Sequence, residues 1–346
     1  MVQMTSIFSG ILSHSSATVS NIGASVWVMD PAVNTVVNTI PLPDYLLDAV
    51  RSLPGVRYAV PLCSGGALVK LRSGALQAVS VIGLDDSSPF GRRVLERGNI
   101  EDIYPENGFI VLSDAEFKKL EDPVLGTEFE LNVHRGVVAG IARVAAGGLF
   151  GVPTLCTTYS RAIRYLPTTR FTASYVLVEL NDAQAVARIK QAVAQLGYLA
   201  LTKQEFIDRI SNFYKYKPRI GTNIPLMTAI CFIVGLSISG QNFYTFILES
   251  RDKFGALKSM GAKGRELAGM ILFQSIFTAL TGYGIGAGLC TLLLALAKLR
   301  LSDCASLITF GNRGLAFGMV LLIAAISSYI GIRKVLWIEP FDIFRG

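Results

Sequence analysis

The sequence predicts an α+β extracytoplasmic domain placed ahead of a bundle of three complete transmembrane α-helices, with a partial first helix at the start of the chain. Three observations predict this. The 346-residue chain is 51% hydrophobic and only 16% charged, and its mean hydropathy of +0.47 is too apolar for an ordinary soluble protein. The apolar excess is also confined: residues 17–220 mix charged, polar and apolar residues, whereas 224–336 is dominated by charge-free runs, the two regimes meeting near Pro218. Within the mixed part, short apolar runs broken by Gly and Pro alternate with stretches of helical periodicity.

The opening segment, MVQMTSIFSGIL, is weakly apolar, lacks a basic n-region and is too short to span a bilayer. Val2–Leu12 reads as the outer half of a truncated first transmembrane helix within a segment 1–16, with an amphipathic interfacial segment as the alternative.

Residues 17–220 read as two lobes. Leu46–Leu53 suggests a short helix, and Val56–Val60, Ala67–Leu71 and Gln77–Ile82 suggest strands separated by Pro and Gly turns. Ser174–Leu180, an amphipathic helix over 181–196 capped by Asn181 or Asp182, and a returning strand Tyr198–Leu201 form a β-α-β unit. Gly108–Leu112 and Glu128–Val144 look like strands of the second lobe, with Ser113 capping a helix of sequence DAEFKKL.

Chemistry is hard to find in this domain. His14 and His134 are far apart and have no carboxylate or cysteine at ligand spacing, so a structural role outweighs a metal role. Asp85 and Asp86, followed by Ser87, Ser88 and Pro89, read as a turn, although an acidic pair can bind a cation. No G-x-S-x-G motif is present. The five cysteines, Cys63, Cys156, Cys231, Cys290 and Cys304, contain no C-x-x-C pair. Cys231 and Cys290 fall in apolar runs as packing residues, and a Cys63–Cys156 bridge is conceivable in an oxidising compartment. The domain therefore recognises or transmits, without catalysing and without a cofactor.

Ile224–Leu248, Leu267–Ala297 and Gly314–Ile332 are charge-free, and at about 1.5 Å per residue each approaches or exceeds the length needed for a hydrocarbon core of roughly 30 Å. Lys and Arg set their orientation. Arg251, Lys253, Lys258, Lys263 and Arg265 lie between the first and second spans, and Arg333, Lys334 and Arg345 follow the third, against Arg300 and Arg313 on the other side. The 249–266 loop and the C-terminus are therefore expected in the cytoplasm and residues 17–220 outside it. The net charge of +7 fits this membrane asymmetry. It is scattered rather than gathered into an arginine-rich stripe, which argues against a nucleic-acid partner.

After Leu248 the chain reads ESRDKFGALKSMGAKGREL, with Phe254, Leu257 and Met260 spaced for one helical face. An ordinary basic loop hugging anionic lipid is one reading. The small residues Gly255, Ala256, Gly261 and Ala262 around the apolar anchors favour close approach of another protein. The string E-x-x-D-K-F-G-A-L-K-S-M-G-A-K resembles the cytoplasmic coupling segment of the FtsX/MacB-type ABC permeases. There, an acidic residue, a glycine and a terminal Gly-Ala follow the second transmembrane helix. The ending IGIRKVLWIEPFDIFRG is similar to theirs as well, through Arg333, Pro340, Phe344 and Arg345. Within that family, 224–263 is most similar to the DevC-type exporter permeases.

The resemblance is strong over 224–346 and extends to the outer domain in general layout, giving domains of 1–16, 17–220 and 221–346. It implies a multi-pass protein of the bacterial inner membrane with a coupling helix over 249–263. Glu249, Asp252, Phe254, Gly255, Leu257, Lys258, Met260, Gly261 and Ala262 would dock on a separate ATPase. The partners it implies are a DevA-like ABC ATPase and a DevB-like membrane-fusion protein. The chain itself carries no G-x-x-x-x-G-K-[ST] phosphate loop. Family members have four spans, the first preceded by a cytoplasmic head; that head and half of the first span are expected to be missing here.

In the second span, Gly282 with Gly286 and Gly284 with Gly288 stand at the i,i+4 spacing that permits close helix contact. A homodimer packed through the membrane helices is expected, since one chain offers a single coupling segment to an ATPase dimer. Gln241 and Asn242 either bond across that dimer or face a cavity. Three functional readings follow: an exporter permease moving a lipid, glycolipid or peptide; a mechanotransmitter acting on a cell-wall hydrolase; and a membrane sensor. The large bilobed outer domain favours export.

Overall fold

The computed structural model describes residues 2–36, 38–87, 95–105, 107–113, 116–143, 152–166, 172–182, 184–216, 222–300 and 309–336. Two compact units emerge from the packing. One joins Met1–Ser9 to the three long helices, and the other runs from Gly10 to the helix that ends at Tyr216.

The larger unit is organised by one long strand, β2 (Val56–Lys70), which changes partners halfway. Up to Leu62 it pairs antiparallel with β9 (Tyr175–Leu180), and from Cys63 it pairs antiparallel with β3 (Leu76–Leu84). The two strands expected over 56–60 and 67–71 are therefore one. Pro61 lies where β2 is paired on one side only, the setting in which a missing N–H is tolerated. Gly65 is not a turn: a β-carbon there would lie 2.8 Å from Leu166 Cδ2, so the glycine admits that side chain against the strand.

The first lobe has strand order β10-β1-β9-β2, with β1 Val26–Met29 and β10 Leu199–Thr202. Both β9 and β10 run antiparallel to β1, so they are parallel to each other and α5 (Ala185–Gln195) is the crossover between them. The expected β-α-β unit is present with a third strand inserted. Asp182 rather than Asn181 serves the entry of α5, its Oδ1 accepting from Gln184 N at 3.2 Å. One face of β1 and β9 packs Val26, Val28, Val176 and Val178 against α3 (Tyr45–Arg51) and α5. On the other face Trp27 meets Tyr175 edge-on at 5.4 Å and Phe206 of α6 (Lys203–Tyr216) at 5.5 Å.

The second lobe closes on itself. Strand order runs β2-β3-β8-β5-β7, with β8 Thr154–Thr158, β5 Gly108–Ser113 and β7 His134–Arg143. The short β6 (Glu128–Leu131) pairs with both β7 and β2, at Val69–Leu131 and Lys70–Glu130. A ring of strands has no long edge left to recruit other chains; β4 (Leu95–Gly98) only extends β7. The β6–β7 turn places Asn132 and Val133 at positive φ, 44° and 71°, the conformation of a tight hairpin. Asn132 also accepts from Leu68 N at 2.9 Å and donates to Tyr165 O at 3.0 Å. Helix α4 (Tyr159–Tyr165) plugs the ring with Ala162, Tyr165 and Leu166.

Several outer-domain residues singled out from the sequence have structural partners. Asp85 accepts from Ser87 Oγ at 2.6 Å, and Asp86 accepts from Ser160 N at 3.1 Å, capping α4. His134 stacks on Tyr165 at 4.7 Å. Arg161 fastens the 103–108 turn by donating from Nη1 to Ile103 O and Gly108 O, each at 2.7 Å. Cys63 pairs with Gly83 of β3 and Cys156 with Ile82 of the same strand. Two strand spacings, about 9.6 Å, thus separate the cysteines, beyond the reach of a disulfide, and they are not bridged. The helix expected over DAEFKKL is a single 3-10 turn, Phe117–Leu120, and Ser113 is the last residue of β5. Asp114 and Ala115 lie outside the described residues.

The smaller unit contains α7 (Asn223–Glu249), α8 (Arg251–Ser259), α9 (Gly264–Arg300) and α10 (Phe310–Leu336). Three of these, α7, α9 and α10, are long and apolar enough to cross a membrane. Helix α10 packs against both α7 and α9. Ser275 of α9 donates to Ala324 O of α10 at 3.0 Å, and Tyr283 donates to Arg313 O at 3.0 Å while its ring meets Phe317 edge-on. The start of α1 (Val2–Ser15) is held by Asn312, which donates to Thr5 O at 3.1 Å and bonds Ser9 Oγ at 3.0 Å.

Candidate ATPase-coupling segment

Helix α7 runs into α8 through Ser250, a buried residue whose backbone (φ −99°, ψ 8°) breaks the helix without breaking its bonding. Ser250 N donates to Phe246 O, and Phe254 N to Ser250 O, each at 3.0 Å. The far end of α8 closes with Gly261 at φ 99°. Gly261 N bonds Lys258 O at 3.2 Å, and Ala262 N bonds Leu257 O at 3.0 Å. This pair is the Schellman closure, and Leu257 and Ala262 both pack against the same apolar cluster. Next, Glu266 Oε2 accepts from Lys263 N at 3.0 Å and starts α9 in the manner of a capping box.

Phe254 is buried, with 8% of its surface exposed, among Ile247 of α7 and Leu267 and Ile271 of α9. Leu257, Ala262, Phe246 and Ile332 of α10 surround this cluster, and the Phe246 and Phe254 rings meet edge-on at 6.5 Å. The apolar face read from Phe254, Leu257 and Met260 is thus divided. Phe254 and Leu257 turn inward onto the chain's own long helices, whereas Met260 is 76% exposed. Glu249, Asp252, Lys253 and Ala256 are exposed too, Lys258 is half-buried, and Gly255 is buried. Gly261 has open space around it, so its function is the left-handed turn rather than close approach.

A β-carbon on Gly282, Gly284, Gly286 or Gly288 would meet nothing within 4 Å, so these glycines do not mediate packing inside the chain. Gly282 and Gly286 instead line an open groove of about 620 Å³ among α7, α9 and α10, whose other walls include Gly235, Ser239, Ser275 and Ala324. Close approach occurs at Gly331 of α10, a lone glycine without a partner four residues away. Gln241 and Asn242 are exposed on α7 and do not line the groove. Arg333 is exposed near the end of α10; Pro340, Phe344, Arg345 and Cys304 lie outside the described residues. Ser250, Ile247, Leu267, Ile271 and Gly331, which fix the segment, were not singled out from the sequence. Ser250 and Leu267 sit in the quoted stretch ESRDKFGALKSMGAKGREL and Gly331 in IGIRK, whereas Ile247 and Ile271 lie in neither.

Two family models match the chain. The MacB-like periplasmic core domain matches residues 1–196, and the FtsX-like permease C-terminal matches residues 225–340. Uncharacterized ABC transporter permeases of Mycobacterium tuberculosis strains CDC 1551 / Oshkosh and ATCC 25618 / H37Rv are each 23% identical over 353 aligned positions, 99% of this chain and 90% of theirs. Among solved structures, the periplasmic region of MacB from Actinobacillus actinomycetemcomitans is 11% identical, covering 55% of this chain and 93% of that one, with a TM-score of 0.42. The extracellular domain of the ABC-type transporter YknZ from Gram-positive bacteria is likewise 11% identical, covering 52% and 99%, with a TM-score of 0.40. With a MacB-like domain over its first 196 residues and an FtsX-like one over its last three long helices, the chain belongs to the FtsX/MacB-type ABC transporter permeases, the non-catalytic membrane subunits of their systems.

Proposed function

We propose that this chain is the permease of an ABC exporter. A separate ATPase docks on α8, and its hydrolysis drives the movement of a lipid, glycolipid or peptide through a membrane-fusion partner. The observation that carries the reading is how α8 is held. Phe254 and Leu257 tie it to residues of α7, α9 and α10 at once, while Asp252, Lys253, Ala256 and Met260 remain exposed. A force applied to that exposed face is delivered to all three long helices instead of bending a loose loop.

In this reading α8 and Arg333 lie in the cytoplasm, as the Lys and Arg distribution favours, and the outer domain lies beyond the bacterial inner membrane. Two copies serve the two docking grooves of an ATPase dimer, with the Gly282–Gly288 face of α9 open to a neighbouring helix of the assembly. The ATPase is of DevA type and the fusion protein of DevB type, following the similarity of 224–263 to DevC-type permeases.

Co-expression with the ABC ATPase encoded beside it tests the proposal. The expected result is a stable complex whose ATP hydrolysis rises when the neighbouring fusion protein is added. Failure to bind that ATPase contradicts the proposal. A complex that responds to a cell-wall hydrolase, and not to any fusion protein, replaces export with mechanotransmission.

A further inference from the structure

The groove among α7, α9 and α10 has the dimensions of a ligand site. Its volume of about 620 Å³ falls within the roughly 300–1,000 Å³ usual for such sites, and it follows α9 from Ser275 to Cys290, about 22 Å. The mean cross-section is therefore roughly 28 Å². A helix with its side chains is about 10 Å across and needs nearly three times that area; a single hydrocarbon chain needs less. The walls ask for no polar guest. Ser275 Oγ donates to Ala324 O, Thr278 Oγ1 to Gln274 O and Tyr283 OH to Arg313 O, so these hydroxyl protons are already bonded within the chain. Between them Gly282 and Gly286 leave room for a chain to lie against the backbone of α9.

One side of the groove is cationic. On α10, Arg313 precedes the lining residues Ala316 and Val320 by three and seven positions, which sets it on their face of the helix, and its carbonyl holds Tyr283 of the groove wall. Arg313 is exposed. Its guanidinium lies over the Phe310 ring at 5.8 Å and has no carboxylate partner among the described residues. Gln3 of α1, also exposed, lines the same groove two residues before the Thr5 carbonyl that Asn312 holds. We infer that the groove binds one anionic glycerophospholipid, its phosphate at Arg313 and Gln3 and one acyl chain running past Gly286 and Gly282 towards Ser275. A guanidinium matches a phosphate in shape and charge, and a narrow apolar groove beside it matches the hydrocarbon that follows. The lipid is a bound component and not cargo. It bridges α7 and α9, which nearer α8 are joined by Ile247, Leu267 and Ile271.

The inference rests on the permease reading for its orientation, in which Arg313 is extracytoplasmic and the lipid comes from the outer leaflet. Native mass spectrometry of the full chain, delipidated in detergent, tests it with dioleoyl phosphatidylglycerol as the probe and dioleoyl phosphatidylcholine and inorganic phosphate for comparison. One phosphatidylglycerol per chain should be retained, and phosphatidylcholine should bind roughly three- to tenfold more weakly, the worth of one charge contact at the membrane surface. Arg313→Gln should remove that preference. Gly286→Leu, at a position where a β-carbon meets nothing within 4 Å, should fill the groove and abolish lipid binding with the lipid-free Tm unchanged; Gly284→Leu, off the groove, should bind as wild type does. Equal retention of phosphatidylglycerol by wild type and Gly286→Leu would overturn the inference. Equal affinity of the wild type for the two lipids, or displacement of the lipid by inorganic phosphate, would overturn it too. The partner ATPase is titrated onto the same samples. Normal ATPase binding with no lipid retained overturns the lipid site alone, whereas a wild type that does not bind the ATPase overturns the permease reading.

Discussion

Ile247 of α7 presses on Gly331 of α10 so closely that a β-carbon at position 331 would lie 2.4 Å from Ile247 Cδ1. The contact sits beside the Phe254 cluster, so it sets how the ends of two long helices meet where α8 attaches. Gly331→Ala should overpack the site and destabilise the detergent-solubilised protein by about 1–3 kcal/mol. Ile247→Val removes the clashing atom and by itself should cost about 0.5–1.5 kcal/mol. The double substitution should be clearly more stable than the sum of the two, a coupling that a thermal double-mutant cycle measures. Strict additivity would show that the helices do not approach there.

Gly261 ends α8 at φ 99° with open space around it, so a substitution there is opposed by backbone strain and not by crowding. Gly261→Val should cost about 1–2 kcal/mol or more in the left-handed region and fray the last turn of α8. Gly261→Asn should be milder, since asparagine tolerates that conformation. Hydrogen exchange at Gly261 and Ala262, whose amides bond Lys258 O and Leu257 O, reads the effect. Equal exchange in both variants would contradict the closure described for this turn.

Tyr159, at the start of α4, has its pKa pushed up from 10.0 to about 12, first by burial and then by the negative potential of Cys63, Asp44 and Asp86. The folded protein therefore holds this proton longer than the unfolded chain does. The contribution to stability is complete below about pH 10 and is lost as pH rises from about 10 through 12. Tyr159→Phe cannot ionise, so the gap in Tm between wild type and this variant should shift in the variant's favour across that window. Parallel pH profiles for the two proteins would rule out a raised Tyr159.

Much of the membrane unit was legible because lipid imposes a simple rule: a run such as Ile224–Leu248 without charge is a helix, and α7 extends it by one residue at each end. The outer domain was less so. β1 (VWVM) is four residues long and buried on both faces, so it shows no alternation to read. The Pro and Gly of β2 imitate turns, and only the partner strands reveal why they are tolerated. In the coupling segment, spacing placed Phe254, Leu257 and Met260 on one face, but periodicity does not say whether a face looks inward. Phe254 is held by Ile247, seven residues back across the break at Ser250, and by Leu267 and Ile271 of α9, which no local pattern links to it. Within the chain the overlapping glycine pairs of α9 leave open space, and the close approach at solitary Gly331 has no sequence pattern to mark it.

If α8 is the coupling segment we propose, its exposed face, and not its basic charge, receives the ATPase. Pull-down of the partner ATPase by membrane-inserted variants tests it most directly. Ala256→Asp and Met260→Asp alter exposed positions and should abolish ATPase binding without lowering Tm. Phe254→Ala, inside the cluster, should lower stability by about 3–5 kcal/mol and weaken binding only as α8 loosens. A segment that merely hugs anionic lipid would respond to removal of Lys253, Lys258 and Lys263 instead. Loss of binding in the two aspartate variants with retention in the lysine variants is the predicted result; full ATPase binding by both Ala256→Asp and Met260→Asp would contradict it.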